Sequence, residues 1–125
     1  MREIPREKWA DFLDSFSRQH EGWLVTVEVL GEEIGAQVEA KEKPLEGITA
    51  ELKGGGEDSI SIIVGRTPAE HVTHNITAPT HVRIEQAENR ADMALQIESS
   101  EGVTTLVRLR SAMLPEMVDG IIAEQ

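Results

Sequence analysis

No cysteine occurs in the 125 residues, so disulfides and thiolate chemistry are excluded. Tyrosine is absent too, and the four aromatic residues, Trp9, Phe12, Phe16 and Trp23, all lie near the N-terminus. Basic residues are a minority, 12 against 23 acidic, for a net charge of −11. Such a chain repels nucleic-acid phosphates and anionic membrane surfaces. It also lacks the aromatic platforms and basic groove that single-stranded nucleic acid requires. No nucleic acid and no membrane are therefore expected among its partners. Apolar runs are short, Ile62-Ile63-Val64 being among the longest, far below the roughly 18 residues that span a bilayer. MREIPREKWADFLDSF carries no apolar stretch of signal-peptide length. The expectation is a soluble, cytoplasmic protein, and the sequon Asn75-Ile76-Thr77 is read as accidental. No serine stands in a Gly-x-Ser-x-Gly elbow. Gly54-Gly55-Gly56 lacks the Lys-Ser/Thr of a phosphate loop and is read as a hairpin turn.

What is present organises into one domain, residues 1–125, of 13.8 kDa. A chain of this mass buries about two-thirds of its extended surface on folding, enough for a single core. Trp9, Phe12, Leu13 and Phe16 fall at i, i+3, i+4 and i+7, one face of a helix over about residues 5–18, with Pro5 in its first turn. After Gly22 the period drops to two. Trp23, Val25, Val27 and Val29 alternate with Leu24, Thr26, Glu28 and Leu30. Strand signals then recur at 36–41, 45–53, SISIIVG, HVTHNI, HVRIEQ, MALQIE and VTTLVRLR, with Lys43-Pro44 read as a break. HVTHNI and HVRIEQ are read as a hairpin that pairs Ile76 with Thr80, because that register keeps apolar residues opposite apolar ones. Glu88 to Asp92 reads as a polar turn, and Pro115 could open a short C-terminal helical turn with Leu114, Met117, Val118 and Ile121 inward.

The expected fold is mainly β (α+β by count): an N-terminal α-helix packed on an antiparallel barrel or roll of about eight strands over 23–110, then a short segment 111–125. Because no ring follows Trp23, the strands supply only aliphatic side chains. The helix, with large rings on one stripe, is expected to dock on the sheet and complete its core.

The residues that carry chemistry are few. His71, His74 and His81 resemble a metal cluster by composition, but strand parity sets His71 and His74 on opposite faces. They are weak metal candidates, and two surface histidines plus a buried, hydrogen-bonded one is the better account. Glu28, Glu39, Glu51, Glu85 and Glu98 fall at polar strand positions, as do Lys41, Lys53, Arg83, Arg108 and Arg110, the pattern of a solvated face with cross-strand ion pairs. His20-Glu21-Gly22-Trp23 joins helix to sheet and combines a titratable ring with an indole. His20, Trp23 and His74 are the candidate binding residues. No catalytic residue and no cofactor are assigned.

IPREKW, FLDSFSRQHEGWLVTVEVLG and GAQVEAKEKPLEGI, with SIIVG, THNI, PTHVRIEQ and LPEMVDGI, together resemble a small bacterial family catalogued as a domain of unknown function. The resemblance runs over nearly the whole chain. It implies a single-domain, bacterial, cytoplasmic protein and carries over no activity, cofactor or site residue. The function expected from the residues is a non-enzymatic binding or protein-interaction module, its partner another protein or a second copy in a homodimer formed through an open sheet edge. The alternatives are a small barrel around an apolar ligand, with His74 as a polar contact, and a metal-assisted hydrolase built on His71, His74 and His81.

Overall fold

The structure, a computed structural model, describes residues 1–53, 58–88 and 92–110. The Gly54–Gly56 turn, part of the turn before Asp92, and the C-terminal segment with its Pro115 turn lie outside the described residues. A short strand β1 (Arg2–Ile4) leads through Pro5 into a 3-10 turn (Arg6–Lys8) and helix α1 (Trp9–His20). The sheet continues with β2 (Leu24–Gly31), β3 (Gly35–Glu51), β4 (Ser59–Val64), β5 (Val72–Thr77), β6 (Pro79–Gln86), β7 (Asp92–Ser99) and β8 (Thr104–Arg110). All pairings are antiparallel, in the order β1-β6-β7-β8-β2-β3-β4-β5. The ends of this order do not meet, so the sheet is open rather than a closed barrel. Among the described residues no helix is long and apolar enough to cross a membrane.

Helix α1 fills the core as its stripe requires. Trp9, Leu13 and Phe16 are all at most 2 % exposed and pack with Val25, Leu45, Ile48, Ile60, Ile84 and Leu95. The indole N–H of Trp9 donates to the Ile4 carbonyl at 2.9 Å, so the ring is buried without an orphaned donor. The α-helix begins four residues later than Pro5, because the chain first makes the 3-10 turn closed by the Lys8 amide on the Pro5 carbonyl. Asp58 anchors that turn. One carboxylate oxygen accepts from Arg6 Nε at 3.1 Å and Arg6 Nη2 at 2.5 Å, and the other accepts from the Lys53 amide at 2.7 Å.

The strand count matches the expected eight, but through two departures that offset each other. Lys43-Pro44 does not end a strand. β3 runs through it, pairing with β2 up to Pro44 and with β4 from Leu45. Proline lacks only its N–H, and that loss is small where the strand exchanges one neighbour for the other; the Pro44 carbonyl still accepts from the Gly65 amide at 2.8 Å. The added strand is β1, three residues whose pattern is too short to read. A third departure concerns HVTHNI and HVRIEQ, which do not form a hairpin. β5 pairs with β4 and β6 pairs with β1 and β7. Ala78, at φ 49, turns the chain between them, and its amide donates to the Asp58 carbonyl.

Where β3 exchanges neighbours it leaves the edge of its second half without a strand. The helix covers this edge. The Leu45 amide donates to the Trp23 carbonyl (2.8 Å) and the Gly22 amide to the Leu45 carbonyl (2.9 Å). Further along, Ser17 Oγ accepts from the Ile48 amide at 2.8 Å and lies 3.1 Å from the Ile48 carbonyl. Covering an edge with a helix is a standard way to satisfy strand groups that would otherwise be open.

Candidate functional site

Among the described residues, titratable, aromatic and polar side chains converge at the C-terminal end of α1. His20 is the last residue of the helix and only 5 % exposed. Its Nδ1 lies 2.8 Å from the Phe16 carbonyl. A carbonyl only accepts, so Nδ1 carries the hydrogen. The opposite nitrogen, Nε2, faces Asp92 Oδ2 at 3.4 Å, an approach that attracts when a proton sits on one of the two. The second Asp92 oxygen accepts from Gln86 Nε2 at 2.8 Å. The imidazole packs against Phe16 (ring centroids 4.3 Å apart) and edge-on against Trp23 (4.7 Å, interplanar angle 89°).

A bulge delivers Asp92 to this site. On β6, Glu85 and Gln86 are consecutive, whereas their partners on β7 are Ala94 and Asp92, so Met93 is an extra residue. An extra residue reverses the alternation of faces beyond it. Leu95 and Ile97 are buried in the core, and the bulge turns Asp92 to the same side and leaves Met93 outside, 47 % exposed. Above the His20–Asp92–Gln86 network opens a cleft of about 400 Å³ lined also by Arg2, Phe12, Gln19 and Trp23.

His20 and Trp23, named from the sequence, thus come together. His74 does not join them. It is half-buried on β5, with Nε2 3.4 Å from Thr105 Oγ1, beside a cavity of about 40 Å³ lined by Val27, Ala40, Ile62 and Val64. That is room on the scale of a water, not of an organic ligand. His71 and His81 have partners of their own, Glu46 at 3.9 Å and Glu3 at 2.7 Å. Among the described residues no three His, Cys, Asp or Glu side chains gather to hold a metal.

The outer face carries the expected cross-strand ion pairs: Arg108 with Glu28, Arg110 with Glu42, and a chain running from Glu3 through Arg83 to Glu98. The hydrogen bond from His81 holds the Glu3 carboxyl below its ordinary 4.5; partial loss of hydration opposes this, and the charges of His81 and Arg83 add to it. A carboxyl whose folded pKa is depressed contributes stability above its unfolded pKa, and that contribution is lost as pH falls through the folded value. Glu3→Gln is therefore expected to lower the melting temperature slightly at about pH 6, with a difference that shrinks as the pH falls below 4.5 toward about 3. Thermal melts of both proteins across that range check it, and an equal difference at both ends would refute it.

Comparison with known proteins places the chain. A family model described as a family of unknown function, DUF5335, matches residues 1–117. The chain belongs to the DUF5335 family. It is similar to an uncharacterised protein of Aquifex aeolicus (strain VF5), 28 % identical over 114 residues that cover 90 % of this chain and 96 % of the relative. No solved structure matches it. In this DUF5335 chain the residues that sequence reading missed are Asp92 and Gln86. The alternation Met93, Leu95, Ile97 points Asp92 outward, and nothing in the spacing signals the bulge that reverses it.

Proposed function

We propose that this DUF5335 protein is a non-enzymatic binding module whose recognition site is the cleft over His20, Trp23 and Asp92, and that it takes an apolar or aromatic side chain of a partner protein. The observation that carries this reading is the pair of half-buried rings, Phe12 and Trp23, that line the cleft beside His20, Asp92 and Gln86. The His20 ring is held by Nδ1 against the Phe16 carbonyl and wedged between Phe16 and Trp23, so it fixes the position of the Trp23 ring. The groups left for a partner are the half-buried rings of Phe12 and Trp23, with Arg2 and Gln19 at the rim. Apolar rings with a few polar groups beside them are the usual makeup of a recognition pocket.

The two tryptophans provide the test. Trp9 is sealed in the core and Trp23 lines the cleft. With N-acetyl-tryptophanamide and N-acetyl-leucinamide as probes, the Trp23 indole N–H resonance is expected to shift saturably while that of Trp9 stays still. Trp23→Ala is expected to weaken binding about tenfold, roughly 1.4 kcal/mol. Shifts that do not saturate, or an affinity unchanged by Trp23→Ala, would refute the reading.

A further inference from the structure

Among the described residues β1, the first half of β3 and β5 each leave a stretch of sheet edge open, and they differ in how they are protected. β1 is three residues long, carries Arg2 and Glu3, and ends at Pro5. The first half of β3, residues 35–43, is longer, but two register shifts against β2 interrupt it, and Glu39, Lys41, Glu42 and Lys43 line it. Shortness, proline, bulges and charge are the devices that keep an edge from pairing with another chain. β5 has none of them. Its six residues, VTHNIT, pair with β4 in an unbroken register from Val64↔Val72 to Ser59↔Thr77. Val72, Thr73, Asn75 and Thr77 are exposed, and Val72 keeps 49 % of its surface in solvent.

Charge points the same way. In a protein of net charge −11 with 28 % charged residues, the twelve residues of β4 and β5 contain no Asp, Glu, Lys or Arg. An average stretch of that length would hold about three. This is the part of the sheet where two copies of an acidic chain approach with the least repulsion.

We infer that β5 is a self-association edge, at which a second copy of this chain adds its own β5 antiparallel across a two-fold axis. An axis perpendicular to the sheet keeps the faces matched, so residues of equal parity must pair. The register centred on Asn75 satisfies this: Asn75 meets Asn75, Thr73 meets Thr77 and His74 meets Ile76. Every pair is free of acid–acid contact, and Thr–Thr is a favourable cross-strand pair. A seam of one strand lies below the usual specific interface of about 1,200 Å², so the dimer is weak, with a Kd in the micromolar range or above. Its salt response is also fixed in sign. Screening relieves the repulsion between two net-negative copies, so association strengthens with salt, whereas an interface built on the ion pairs of the outer face would weaken.

Sedimentation equilibrium of the full chain tests this. The expected result is a mass rising from 13.8 kDa toward twice that value with concentration, more so at about 0.5 M than at about 0.05 M salt. Thr73→Glu, with Thr77→Glu as a second variant, adds charge to the seam and to the repulsion between copies, and should weaken the dimer at least tenfold without moving the melting temperature, whereas Lys41→Thr on the protected β3 edge should leave it unchanged. Amide exchange in β5 should slow as concentration rises. A wild-type mass that stays at 13.8 kDa, or a dimer indifferent to both glutamate variants, overturns the inference. The result is independent of the cleft, since Trp23→Ala is expected to dimerise as the wild type does.

Discussion

A chain that begins at Gly22 is expected to have lost its cooperative melt. The deletion removes Trp9, Leu13 and Phe16 from the centre of the core, where each is at most 2 % exposed. Trp9 and Phe16 alone bury about 150–250 Å² each, on the order of 10 kcal/mol together at about 25 cal/mol per Å² before entropy. That is comparable to the whole net stability of a domain, about 5–15 kcal/mol. The deletion also removes β1 from β6 and uncovers the Ile48 amide, which donates to Ser17 Oγ. Trp9→Ala is the finer version. It should cost about 3–5 kcal/mol, the usual range for a fully buried large ring, with the Ile4 carbonyl losing its donor as well. Circular dichroism during heating measures both. A shortened chain that melts as sharply and as hot as the intact one would show that the helix is an appendage.

Gly65→Ala should be the most damaging change of a single small residue. Gly65 follows β4 at φ +123, a conformation that side chains other than glycine's rarely adopt, and a Cβ there would lie 2.6 Å from the Glu70 carbonyl oxygen and 2.9 Å from its carbon. Both obstacles are backbone, so nothing can rotate away. Strain and overlap together are expected to cost about 3 kcal/mol or more, a fall in melting temperature of about 10 °C or more for a chain of this size. Gly102→Ala is the control. Its φ is also positive, +80, but the space around it is open, so only the conformational cost of about 1–2 kcal/mol applies. Equal losses at the two positions would show that the contact with Glu70 is not what Gly65 protects.

The helix and its role in the core were legible because large rings recurring at a 3.6-residue period line up on one helix face, and because the strands have no rings of their own to fill the space. Helix limits were less so, since a 3-10 turn and the first turn of an α-helix share the same residue preferences. Strand identity was legible from alternation wherever one face was buried, but pairing was not. HVTHNI and HVRIEQ are complementary in pattern, and each is also complementary to the strand it actually meets, so a local register argument could not choose between neighbours close in sequence and neighbours distant in it. Pro44 misled for a related reason: its cost depends on what faces the missing N–H, which is a tertiary fact. In the site, His20 and Trp23 were marked by residue type and by their place at the corner between helix and sheet. Asp92 was hidden because one bulge residue, Met93, reverses its face.

The pairing of β1 with β6 has a consequence for biogenesis. Residues 2–4 have no strand to join until residues 82–84 have been synthesised, so β1, made before the other described strands, is secured only once β6 has followed it. Contacts this distant along a chain slow folding, because a long loop must close before they form. Until then the Ile4 carbonyl that receives the Trp9 indole is not fixed in place. A nascent chain stalled before residue 82 should therefore leave residues 2–4 open to protease, and one stalled well beyond residue 110 should not.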